Sequence, residues 1–233
     1  MFSNRYTDKQ NMNSRKCGLN YPAASMLLAG VFVVLLAVLH VIKSDLDPSW
    51  HFISEYEIGN HGWMMQLAFV ALAASNLALL AAVGPYLRDV WGWIGLVMFL
   101  VGTAGTLLAG VFVSDAITAT PALATPSGQW HNLGGTLGLA GVLGTMIISW
   151  KLVRCDAWRA SRRIMLLAVA IFAVGFLVSF VSIAVLAVRH DGVFGPDVPV
   201  GWPNRLGILA GCAWLMLVGW QAKRIQGSSG AVS

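Results

Sequence analysis

A chain of 233 residues that is 57% hydrophobic and only 11% charged lies far from the soluble average of about 45–50% apolar and about 25% charged. This excludes an ordinary soluble domain and points to a membrane protein, a class that also suits 10 Trp and 25 Gly, since Trp gathers at bilayer interfaces and Gly is tolerated in apolar helices. The net charge of +5 sits in short segments between apolar runs, which is a topology signal and not a nucleic-acid surface, so no nucleic-acid partner is expected.

Residues 1–21 are polar, carry Arg5, Lys9, Arg15 and Lys16, and read as a cytoplasmic tail. The run 22–42 holds about 20 residues without a charge, enough for one bilayer crossing at roughly 1.5 Å per residue. It exceeds the roughly 7–15-residue apolar core of a cleaved signal and reads as an uncleaved first helix. A polar, acidic segment follows at 43–61, KSDLDPSWHFISEYEIGNH. Further spans are predicted at 62–83, 91–113, 132–150, 164–188 and 206–220, the last short enough that Trp202 or Pro203 could begin it, and 221–233 reads as a second cytoplasmic tail. The predicted fold class is therefore all-α: a polytopic membrane protein with one six-helix transmembrane domain over 22–220. Backbone in lipid must pair internally, and no alternating pattern marks the strands of a barrel.

Lys and Arg give the orientation. With the N-terminus inside, twelve of the fifteen fall on the cytoplasmic side, leaving Lys43, Arg189 and Arg205 outside; both termini are then cytoplasmic, in a multi-pass protein of the cell membrane. All five His and most carboxylates then gather at or near the outer face. Cys17, Cys155 and Cys212 have no CxxC spacing and no oxidising compartment, so no disulfide is expected. Gly134 and Gly138 form a GxxxG pair whose plain reading is close helix packing. No acidic or basic residue lies near the middle of a predicted span, which weakens a deep proton relay.

The candidate site faces outward. Ser54 beside Glu55 pairs a hydroxyl nucleophile with a carboxylate. Asp115, just past the third span, and His131, opening the fourth, are a helix-end pair that can share a proton or contribute to a divalent-metal site. Arg205 can clamp a phosphate or carboxylate, or pair with Asp115 or Glu55 to close the bundle. His40 is a second ligand-binding candidate, with an interface residue as its plain reading. Asp45, Asp47 and Glu57 read as solvated loop charge, and His51, His61 and His190 lack metal-ligand spacing. Haem ligation between His40 and His131 ranks last among cofactors.

The series ISEYE at 53–57, Asp115 after a Gly-rich third helix, His131 opening the fourth, Asn204–Arg205 opening the sixth, and Trp214 within it resembles the bacterial membrane family known as domain of unknown function 998. The likeness covers roughly residues 22–220. Tyr56 stands where that family tends to have Leu, and Asn204 where it has Glu or Gln before the Arg. The resemblance implies fold and topology and assigns no activity.

Three functions fit these observations. The first is a site of Ser54, Glu55, Asp115, His131, Arg205 and His40 that binds a lipid headgroup or small anion and could hydrolyse it. The second is a small-solute or proton-coupled transporter, against which stands the absence of broken helices and midplane charge. The third is a non-catalytic membrane partner or sensor. The bilayer is the one partner common to all three.

Overall fold

The structure, a computed structural model, describes residues 20–229; the tail cations at 5, 9, 15 and 16, and Cys17, lie outside the described residues. Six helices, each long and apolar enough to cross a membrane, account for the bundle: α1 Tyr21–Ile42, α2 Gly62–Val83, α3 Val90–Val111, α4 Pro126–Arg154, α5 Arg162–Arg189 and α6 Gly201–Ser229. No strand occurs among the described residues. The protein is a six-helix transmembrane bundle.

Local chemistry sets the helix starts. Asn20, Asp89 and Thr125 each accept a hydrogen bond from the backbone N–H three residues on, satisfying donors that the first helical turn leaves orphaned. Pro126 occupies the first turn of α4, where its missing N–H costs nothing. Two helices outrun their predicted limits by more than two residues at an end. α4 begins six residues before 132, because capping and not apolar content fixes its start. α6 continues through residues 221–229, expected as a tail, because Gln221 and Ala222 are buried and Gln221 accepts a hydrogen bond from Ser161 Oγ at 2.8 Å.

The helices pack in chain order as a ring, α1 closing against α6 and α2 also touching α6 across the middle. α3 and α4 form the tightest pair and α4 and α5 the loosest neighbours. Between α3 and α4 the backbones nearly touch: a Cβ on Gly102 would lie 2.3 Å from the Gly141 Cα, and one on Gly134 would lie 2.5 Å from the Gly105 oxygen. Only glycine permits that approach. Of the predicted GxxxG pair, Gly134 packs in this way whereas Gly138 faces open space. Interhelical hydrogen bonds add specificity, from Ser75 Oγ to Ser25 O at 2.8 Å and from Trp214 Nε1 to Ser149 Oγ at 2.9 Å.

Exposed Trp residues form two girdles, Trp63, Trp130 and Trp202 near one end of the bundle and Trp91, Trp93, Trp150 and Trp220 near the other. Between them exposed Leu, Val and Ile cover the outer surface, as expected of a lipid-facing perimeter. The 43–61 segment lies at the first of these ends, called here the site end.

Substituting Gly102 by Ala should cost about 1–3 kcal/mol through overpacking, seen as a lower melting temperature in detergent. Gly30→Ala, with nothing within 4 Å of the new Cβ, should be neutral or slightly stabilising, because Ala outranks Gly in a helix. Equal effects of the two would remove the close-packing argument.

Candidate functional site

The 43–61 segment folds back over the bundle as a compact cap. Residues Ile53–Glu57 form a single 3-10 turn in which Ile53, Glu55, Tyr56 and Glu57 are buried. The turn is fixed from several sides. Lys43, at the end of α1, is itself buried and donates from Nζ to Tyr56 O at 3.0 Å and to Ile58 O. Burial pushes the Lys43 ammonium below its ordinary value, with Asp45 nearby opposing the shift. The Gly201 N–H donates to Ser49 O at 2.9 Å, and a Cβ on Gly201 would sit 2.3 Å from Pro48 O. Glycine at the start of α6 is thus what lets the cap dock.

Both carboxylates of the turn do backbone work. Glu55 accepts from Phe52 N through Oε2 and from Ile117 N through Oε1, each at 2.9 Å, while His51 Nδ1 approaches Oε2 at 3.0 Å. Glu57, expected in solvent, is 3% exposed. Its Oε2 accepts from Ser114 N at 3.0 Å and lies 3.3 Å from His131 Nδ1, and its buried Oε1 has no hydrogen-bond partner. Burial raises the Glu57 carboxyl above its ordinary value, with His131 and the Ser114 N–H pulling the other way. The sequence hid this because a carboxylate in a short polar segment looks the same whether it faces water or supplies acceptors to a neighbouring loop.

The remaining candidates fall in different places. Asp115 accepts from Thr125 N at 3.0 Å and Thr125 Oγ1 at 2.7 Å, and Thr125 Oγ1 in turn accepts from Gly128 N; this carboxylate braces the start of α4. His131, in the second turn of α4, bonds Phe112 O at 2.9 Å and meets Glu57, not Asp115. Ser54 contributes its carbonyl, which accepts from Ser114 Oγ at 3.0 Å. Among Ser54, Glu55, Asp115, His131 and Arg205, no hydrogen bond or ion pair joins any two. No group of three or more His, Cys, Asp or Glu able to hold a metal ion occurs among the described residues.

Arg205 and His40, by contrast, do come together. Arg205, 4% exposed, donates from Nε to His40 Nε2 at 2.8 Å, from Nη1 to His51 O at 2.7 Å and Gly201 O at 3.0 Å, and from Nη2 to Tyr56 Oη at 3.2 Å. Arginine has no acceptor, so His40 accepts at Nε2 and donates its Nδ1–H to Leu36 O at 2.7 Å, which fixes the tautomer. The Tyr56 and Trp202 rings lie 5.6 and 5.9 Å from the guanidinium carbon. No carboxylate comes within 4.0 Å of Arg205 among the described residues. Neither Asp115 nor Glu55 pairs with it: Glu55 is held in the 3-10 turn and Asp115 at the start of α4. The groove beside Arg205 and His40, of about 540 Å³, is walled by Leu36 of α1 and Val178 of α5 and floored by Trp202, Leu206 and Leu209 of α6.

The sequence profile of the family described as "Protein of unknown function (DUF998)" matches residues 26–221. The chain belongs to that family. The match covers most or all of each of the six helices and the whole 43–61 cap, so every residue of the candidate site lies inside the family region. No curated protein and no solved structure matches this chain.

The raised value of Glu57 fixes the sign of a pH effect. A carboxyl whose folded-state value lies above 4.5 stabilises the fold fully below that pH and loses the contribution as pH rises through the raised value. Glu57→Gln is neutral throughout. The melting temperature of the wild type minus that of Glu57→Gln should therefore grow more positive as pH falls from neutral towards about 4; a difference independent of pH would contradict the burial argument. Asp115→Ala, which unbraces the cap of α4, should cost about 1 kcal/mol, read as a lower melting temperature with no change in that pH dependence.

Proposed function

We propose that the protein binds an anionic lipid at the site end, with the headgroup phosphate or carboxylate on Arg205 and one chain along the groove past His40. The observation that carries this reading is a buried guanidinium with only neutral acceptors. Buried charges are ordinarily paired, yet four of the five N–H groups of Arg205 go to an imidazole, two carbonyls and a phenol, and one Nη2 hydrogen is left over. An anion supplied by the bilayer completes that set, and the apolar residues of three helices beside it suit an acyl chain. With most of the described cationic residues at the other end, the groove belongs to the outer leaflet.

The reading is one of binding without hydrolysis. Glu55 and Asp115 are engaged by backbone N–H groups and Thr125, and Ser54 has no hydrogen bond to an imidazole. Transport finds less support, since the ionisable groups of the site gather at one end of the helices and not at mid-membrane. The role is then that of a lipid-responsive membrane partner or sensor.

Purified protein exchanged into vesicles of phosphatidylglycerol and phosphatidylcholine, then examined by native mass spectrometry, should retain phosphatidylglycerol. Arg205→Gln should weaken that retention by about ten-fold or more, the worth of a charge-assisted hydrogen bond. Val178→Trp, which blocks the groove without touching the bonds of Arg205, should weaken it similarly at an unchanged melting temperature. Retention of both lipids alike in all three proteins would end the proposal.

A further inference from the structure

On the other side of α6 lies a second cavity, of about 460 Å³, in the middle of the helix ring. Its volume falls in the range of about 300–1,000 Å³ usual for small-molecule sites, which also occur between the helices of bundles. We propose that it binds a neutral, lipid-soluble molecule with a long apolar body and a single hydroxyl or carbonyl group, which hydrogen-bonds the side-chain amide of Asn76.

Three observations carry this. The first is access. α4 and α5 are the loosest neighbours in the ring, and Leu139 and Phe180, both lining the cavity and both about half exposed, flank the opening between them. A ligand therefore enters sideways from the bilayer. The second is shape. Gly135 and Gly138 line the cavity with nothing within 4 Å of an added Cβ, unlike Gly102, Gly134 and Gly141, whose Cβ atoms would meet backbone across α3 and α4. At both glycines the space a side chain would fill is open, even though the Gly138 backbone also lies against α3. Opposite them, Phe99, Phe172 and Trp214 form a joined aromatic wall with centroids 5.7 and 6.2 Å apart.

The third is polarity. No Asp, Glu, Lys, Arg or His lines the cavity, so a charged ligand would lose its hydration without compensation. The hydroxyls of Thr103, Thr106 and Thr145 donate to carbonyls of their own helices, Asn204 Oδ1 accepts from Ile53 N in the cap, and Ser179 Oγ lies in the α5–α6 seam, 2.8 Å from where a Cβ on Gly207 would sit. Asn76 also lines the cavity, and its amide makes no hydrogen bond to the described residues. It lies seven residues from the end of α2, about 10 Å inside the helix, at a depth where an unsatisfied amide is costly. A ligand hydroxyl or carbonyl at that depth answers it.

The test uses photoreactive sixteen-carbon probes in vesicles containing the full chain: an alcohol, the matching fatty acid and the matching alkane. The alcohol should crosslink to cavity-lining peptides of α3–α6 more than either other probe. Gly138→Leu, or Gly135→Leu should the first variant melt early, should abolish that labelling. Asn76→Leu should lower labelling by the alcohol about five-fold, the worth of one hydrogen bond, and leave the alkane unchanged. Equal labelling by alcohol and alkane, with no effect of Asn76→Leu, would reduce the cavity to a seam that takes up lipid tails. Preferential labelling by the fatty acid, or labelling that survives both glycine variants, would also overturn the proposal. Arg205→Gln, on the opposite face of α6, should leave the result unchanged, which separates this site from the groove.

Discussion

A guanidinium held out of water among neutral acceptors is the constraint on which the site end depends. Arg205 takes acceptors from His40 on α1, from His51 and Tyr56 in the cap, and from Gly201 on its own helix. One side chain thereby ties three parts of the molecule that are up to 165 positions apart in sequence. A charge in that setting is tolerated only with a full set of partners, so the cap, the tautomer of His40 and the closure of α1 against α6 are all set by the same group. The proposed anion is the partner this set lacks.

The two glutamates of the cap work by a different physics. Glu55 and Glu57 stand in for backbone acceptors, holding the N–H groups of Phe52, Ile117 and Ser114. Irregular backbone at a membrane surface must find such partners, and a carboxylate supplies two oxygens per side chain. For Glu57 the supply is incomplete, because Oε1 is buried without a partner, and the raised value of that carboxyl follows from the same burial. Both oxygens of Glu55 are thus engaged by backbone N–H groups, whereas one oxygen of Glu57, beside His131, is not. A change in proton content there would act directly on the loop that connects α3 to α4.

The helices were legible in the sequence because lipid imposes a simple rule. Apolar runs of about 20 residues have one stable conformation in a bilayer, and α2 appears at the predicted limits to the residue. The ends of α4 and α6 were not legible, since past the hydrocarbon the helix is decided by caps and contacts such as Thr125 to Gly128 and Ser161 to Gln221. The candidate site was legible as a set of residue types at one end of the bundle and not as a set of pairs. His40 and Arg205 were both singled out, yet their bond spans 165 positions and no local pattern announces it. Glu57 was missed because burial of a loop carboxylate depends on which distant N–H it meets. Gly138 and Gly134 carry the same motif letter and differ only in what lies opposite.

The most direct test of the central claim is a high-resolution experimental structure of the protein in nanodiscs made with phosphatidylglycerol. The account expects lipid density in the groove between α1 and α5, with a phosphate oxygen in hydrogen-bond range of Arg205 Nη2. A guanidinium paired instead with a carboxylate of the protein, beside a groove holding only disordered lipid tails, would contradict it.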